Sequence, residues 1–180
     1  MRTCSEMADS SLVYRIPGAS WALELPAEGV RTLLSHAQRR WWSTEAAGQL
    51  YSAAPGNDAV RVDAVTKLPA RAASRTGLRL DIPAVAKERE AFFQEGLHCL
   101  GFWHTHPEPT PCPSPDDIAL ATDHARAGRA AFTGLVFVIV GTAAPPGGIG
   151  VWVHDGTTLW RALPQAEVGI SPLNGAVTLI

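Results

Sequence analysis

Cysteine is scarce in this chain. Cys4, Cys99 and Cys112 are an odd set of 3 with no Cys-x-x-Cys pair. They supply neither a disulfide framework nor a cysteine zinc knuckle, and they suit a reducing cytoplasm. A basic surplus is also missing, since the formal net charge is −2. Nucleic-acid binders usually carry such a surplus or a basic stripe, so no nucleic-acid partner is expected. Long apolar runs are absent: the longest, Gly134 to Val140, is far too short to cross a bilayer. Met1 to Ser11 lack the apolar centre of a signal peptide. These absences together predict a soluble cytoplasmic protein with no membrane partner. No internal repeat or interior linker divides the 180 residues, and 46% hydrophobic with 18% charged residues suits one globular domain with a sizeable core.

The hydrophobic pattern predicts alternating strands and helices. Residues 1–18 read as a loose N-terminal arm ending at Pro17-Gly18, residues 19–163 as the folded domain, and residues 164–180 as a C-terminal tail without periodicity. Ser20 to Leu25 reads as a strand. A helix follows from Ala27 to Arg40, with Val30, Leu33, Leu34, Ala37 and Trp41 on one stripe. Ala46 to Ser52 and Val60 to Val65 read as a hairpin turned at Pro55-Gly56-Asn57-Asp58. Residues 68–78 read as a polar basic loop in which Arg71 and Arg75, with Arg79 beyond, form a solvated face or hold an acidic or extended tail. A short strand Leu78 to Ile82 precedes a helix started by Pro83 and ended near Gly96. Cys99 to Trp103 reads as a buried strand. Ser114 opens a helix to Ala127 with Ile118, Ala121, Thr122 and Ala125 inward. The Val/Ile/Phe run Leu135 to Val140 marks a central strand covered on both faces. Gly148 to His154 and Thr157 to Leu163 form a last hairpin at Asp155-Gly156. The fold class is an α/β sandwich with a central mixed sheet flanked by helices.

Against this background stands a spacing that carries chemistry. His104 and His106 leave the end of a strand on the same side, because strand side chains alternate. Ser114 and Asp117 lie one helical turn apart and share a helix face. Two imidazoles and one carboxylate make a three-ligand site with one position left for water, as a catalytic zinc requires. Glu45, at the entrance of the strand that carries Gly48, is the candidate general base; its plainer reading is an exposed acid at a strand entrance. Gly48 would allow close backbone approach. Ser114 is a helix N-cap and also a candidate oxyanion donor. Asp116, rather than Asp117, suits the role of a first-turn acid complementing the helix dipole. Cys112 either approaches the zinc or fills space as a small apolar residue. His36, His98, His124 and His154 show no ligand spacing. His106-Pro107-Glu108 with Pro111-Cys112 echoes the zinc deaminase signature, but the second cysteine is missing because position 115 is proline.

The pattern Glu45…His104-Thr105-His106-Pro107-x6-Ser114-x-x-Asp117 resembles the JAMM (MPN+, or JAB) zinc metalloprotease motif, and Glu45-x-x-Gly48-x-Leu50 resembles that family's glutamate strand. The run from Ser74-Arg75-Thr76 to His106-Pro107-Glu108 is similar to one bacterial branch, found beside ubiquitin-activating-like and ubiquitin-conjugating-like enzymes in operons that include antiviral ones. The resemblance implies a cytidine-deaminase-like JAB/MPN sandwich. It implies Zn2+ on His104, His106 and Asp117, with Glu45 and Ser114 catalytic. It implies an isopeptidase that cuts after the C-terminal glycine of a ubiquitin-like protein or its conjugate, with cognate conjugating and activating enzymes as further partners. A peptidase trimming sulfur-carrier proteins and a non-catalytic MPN scaffold are the alternatives. The DNA-repair branch with His-Asn-His-Pro lacks the glutamate strand seen here. The Pro-rich stretch Pro107 to Pro115 departs from the eukaryotic enzymes, which carry larger apolar residues there.

Overall fold

A computed structural model describes residues 10–130 and 133–165. Its first strands are β1 (Leu12–Arg15) and β2 (Ala22–Leu25), followed by helix α1 (Ala27–Ser35). Strands β3 (Ala47–Ser52), β4 (Ala59–Arg61), β5 (Ala64–Val65), β6 (Ala70–Ala73) and β7 (Leu78–Leu80) come next. Helix α2 (Ile82–Gln94), strand β8 (His98–Thr105) and helix α3 (Pro115–Gly128) lead to β9 (Leu135–Val140), β10 (Ile149–His154) and β11 (Leu159–Pro164). Nine strands form one mixed sheet in the order β4-β2-β1-β11-β10-β9-β8-β3-β5, and β6-β7 form a separate hairpin. Pairing is parallel for β8 with β9 and for β2 with β4, and antiparallel elsewhere.

Strand β9 shows why the sheet sits where it does. All six of its residues are buried. Val136, Val138 and Val140 join a cluster with Leu33 and Val30 of α1, while Leu135, Phe137 and Ile139 join Ala121 and Ala125 of α3. A continuous β-branched and aromatic run therefore feeds two cores at once, and each such side chain contributes about 1.5–3 kcal/mol when fully buried. The β8–α3–β9 unit is a parallel crossover, and it delivers the end of β8 and the start of α3 to the same rim of the sheet. Helix α3 begins there because Ser114 and Asp117 make a reciprocal capping box and Pro115 takes a first-turn position.

Several expectations need correction. The N-terminal arm is not loose throughout, since β1 lies inside it and pairs with both β2 and β11. Residues 1–9 of the arm and 166–180 of the tail lie outside the described residues. Helix α1 stops at Ser35, where His36 N donates to Leu33 O and Ala37 N to Leu34 O in a tightening last turn. Gln38 is then drawn into the interior, its Nε2 donating to Arg75 O at 2.8 Å, and Trp41 ends 80% exposed instead of on the stripe. The expected strand Val60 to Val65 divides: β4 pairs with β2 and only β5 pairs with β3. Part of the expected basic loop is the hairpin strand β6. On α3 only Ala121 and Ala125 are buried; Ile118 is exposed and Cys112, expected to fill space, is exposed too.

Candidate metal centre

Strand β8 runs between β9 and β3, with His104 opposite Ile139 on one side and Ala47 on the other. The ladder continues one residue further, because His106 N donates to Val140 O at 2.8 Å. Both imidazoles therefore leave the strand end on one face. Their Nε2 atoms stand 2.8 Å apart. Asp117 reaches them from the first turn of α3, with Oδ1 3.2 Å from His104 Nε2 and Oδ2 3.3 Å from His106 Nε2. Ser114 fixes that carboxylate: its backbone N–H and its hydroxyl both donate to Asp117 Oδ2, at 2.8 and 2.7 Å. Ser114 Oγ in turn accepts from Asp117 N at 3.2 Å.

Two imidazole nitrogens and two carboxylate oxygens thus converge, with ligand atoms all within 4.8 Å of one another. Lone pairs crowded in this way call for a positive charge among them. Nitrogen and oxygen donors in this number suit a divalent ion such as zinc. His104, His106 and Asp117 form a group able to hold a metal ion. The structure accordingly fits the ion that the ligand spacing suggests.

Glu45 enters from the segment that leads into β3. Thr105 N donates to Ala46 O at 2.9 Å and Ala46 N donates to Thr105 Oγ1 at 3.0 Å, which ties the start of β3 to the end of β8. Glu45 N donates to Ser74 O of the β6–β7 hairpin at 2.7 Å. Burial raises the Glu45 carboxyl above its ordinary value, the nearby imidazoles of His104 and His106 pull it back, and Asp117 pushes it up again. A half-buried carboxylate beside a group able to hold a metal ion is suited to moving a proton. Gly48 keeps this strand in place: a Cβ there would lie 1.8 Å from Thr66 O and 2.5 Å from Trp103 Nε1.

Glu45, His104, His106, Ser114 and Asp117 all line one open cleft of about 490 Å³. One flank is the hairpin with Arg75, Gly77 and Leu78; the other carries Leu120 of α3. Cys112 and Asp116 are exposed. Of the three arginines read as one face, Arg71 pairs with Asp81 at 3.1 Å, while Arg75 donates to Arg40 O and Trp41 O at 3.0 and 3.1 Å. Arg75 therefore ties the hairpin tip to the loop before Glu45.

The profile of the prokaryotic homologs of the JAB domain matches residues 26–155. The chain belongs to this family. Among solved structures, this JAB domain is similar to the solution structure of protein DSY2949 from Desulfitobacterium hafniense, at 22% identity and a TM-score of 0.56, covering 74% of this chain and 85% of that one. That likeness shares the fold. No curated protein matches the chain. The expected fold class, a cytidine-deaminase-like α/β sandwich, agrees with the family and with the mixed sheet flanked by helices.

Two acids in this JAB domain escape a reading of the sequence. Glu88 of α2 accepts through Oε1 from Gln49 Nε2, Tyr51 Oη and Thr66 Oγ1, at 2.9, 3.1 and 2.6 Å. Arg89 Nε donates to Gln49 Oε1, which completes a polar brace beneath β3. Burial, then Glu88, raises the Tyr51 phenol above its ordinary value. Glu108, in the Pro-rich stretch, places Oε1 2.8 Å from His106 Nδ1. No periodicity or spacing signals either contact, because Glu88 acts on residues of other elements and Glu108 acts back across a turn.

Proposed function

We propose that this JAB domain is a zinc-dependent isopeptidase that hydrolyses the bond after the C-terminal glycine of a ubiquitin-like modifier, within a bacterial ubiquitin-like conjugation system of the anti-phage kind. The convergence of His104, His106 and Asp117 in the same open cleft as Glu45 carries this reading. Zinc held by His104, His106 and Asp117 would supply Lewis acidity for the scissile carbonyl and for the attacking water. The Glu45 carboxylate takes a proton from the attacking water and hands it to the leaving lysine amine. Ser114 holds Asp117 in place, and on turning its O–H away from Oδ2 it donates to the developing oxyanion. Leu78 and Leu80 on the hairpin side and Leu120 on the α3 side give the cleft apolar walls for an extended tail. The β6–β7 hairpin is a sheet by itself, so its edge can pair with that tail through backbone hydrogen bonds.

The test is cleavage of ubiquitin-like fusions and conjugates by the zinc-loaded protein and by Glu45→Gln. Release of the mature modifier, lost by at least 100-fold in Glu45→Gln at unchanged zinc content, is the expected result. Full activity in Glu45→Gln removes that residue from the mechanism. Cleavage confined to sulfur-carrier fusions would make the chain a sulfur-carrier peptidase. Stable partner binding without any cleavage would make it a scaffold.

A further inference from the structure

Glu108 lies two residues past His106, on a segment that the end of β9 holds in place. His106 N donates to Val140 O at 2.8 Å, Thr142 N to Glu108 O at 3.0 Å, and Ala143 N to Pro109 O at 3.1 Å. The approach is close enough to need glycine at position 141, where a Cβ would stand 2.6 Å from both Glu108 O and Pro109 O. On this backbone the Glu108 carboxylate meets His106 Nδ1 at 2.8 Å, on the ring edge turned away from Asp117. Its oxygens are not among the ligand atoms that converge on the candidate ion.

A neutral imidazole has one ring proton, and an ionised carboxylate only accepts hydrogen bonds. Glu108 therefore holds that proton on Nδ1 and leaves Nε2 bare, facing His104 Nε2 and Asp117 Oδ2. A bare Nε2 is the form that coordinates a metal, and a carboxylate on the opposite nitrogen fixes the ring plane and strengthens the donor.

We infer that Glu108 is a positioning residue for the metal centre: its carboxylate fixes the tautomer and orientation of His106, and its loss weakens metal binding although it touches no ion. The inference rests on the reading that His104, His106 and Asp117 hold zinc. It adds to the site a carboxylate whose side chain is partly exposed, at 42%, so replacing it leaves the core intact.

Zinc affinity of the purified full chain, measured by competition with a chromophoric chelator, tests it for wild type, Glu108→Gln and Glu108→Ala. Zinc should bind Glu108→Ala about 10- to 100-fold more weakly than wild type. Glu108→Gln keeps an acceptor for Nδ1–H and should fall between the two. Melting temperatures of the three metal-free proteins should coincide. Equal zinc affinity in wild type and Glu108→Ala overturns the inference while leaving the metal site standing. Equal weakness of Glu108→Gln and Glu108→Ala overturns the hydrogen-bond account, because charge alone would then explain the loss. A metal-free Glu108→Ala that melts well below wild type makes Glu108 a folding residue and overturns it as well. A wild-type chain that takes up no zinc ends the metal reading itself.

Discussion

Thr122 gives its hydroxyl hydrogen to Ile118 O at 2.7 Å, so its 2.8 Å contact with His154 Nε2 needs the ring N–H as donor. Gly156 N donates to His154 Nδ1 at 2.9 Å, which occupies the other nitrogen as an acceptor. The imidazole is thereby held neutral between α3 and the last hairpin. Its pKa is lowered by burial first and by Arg126 as well, against an opposing pull from Asp155. The unfolded chain therefore takes up a proton near the ordinary histidine pKa, about 6.5, before the native protein does. Stability is at its full value above that pH and falls as the pH drops below it, with a slope of at most about 1.4 kcal/mol per pH unit for this one group. His36 and His124 are lowered in the same sense, each by burial first. Urea unfolding of the metal-free protein at pH 7.5 and 5.5 should show a smaller acid loss in His154→Gln than in wild type. Equal losses would take His154 out of the acid response.

At the scale of elements, β3 links the core to the cleft. It runs between β8 and β5, all six of its residues are buried, and it starts two residues after Glu45. Gly48→Ala would force a Cβ against Thr66 O and Trp103 Nε1, breaking the 2.8 Å bond that Trp103 Nε1 donates to Thr66 O. The expected cost is about 1–3 kcal/mol in a thermal or urea melt, with a fall in the proposed cleavage as Glu45 shifts. A variant as stable and active as wild type would show that the strand accommodates the methyl group.

The same scale explains what could be read from the sequence. Helix α3 was legible because Ser114-Pro115-Asp116-Asp117 is a local start signal, and β9 because six apolar residues leave no polar face. The grouping of His104, His106 and Asp117 was legible because the two histidines share a strand end and Asp117 follows on the next helix. Strand β1 was not, since its partner β11 lies far along the chain and Tyr14 meets Pro164. Nor was β6: its four residues are all exposed, so burial leaves no alternation to read. The early end of α1 depends on Gln38 reaching the hairpin tip, a contact that no periodicity encodes.

For the molecule as a whole, the core and the candidate metal site occupy different places. The two apolar clusters lie on opposite faces of the sheet, while His104, His106 and Asp117 meet at its rim. A metal ion bound there would add stability by linkage, about 4 kcal/mol when the free ion exceeds its dissociation constant 1,000-fold. Removing it with a chelator should lower the melting temperature and leave a folded sheet by circular dichroism. Collapse of the spectrum at room temperature would mean instead that the ion is part of the core. Among the described residues, no helix is long and apolar enough to cross a membrane.

The strand order also leaves a convenient handle. Arg161 on β11 is exposed, and three inter-strand steps, about 14 Å, separate its strand from the one that ends in the histidines. A dye or bead attached there would stand three strands to the side of the cleft, on a residue that does not line it.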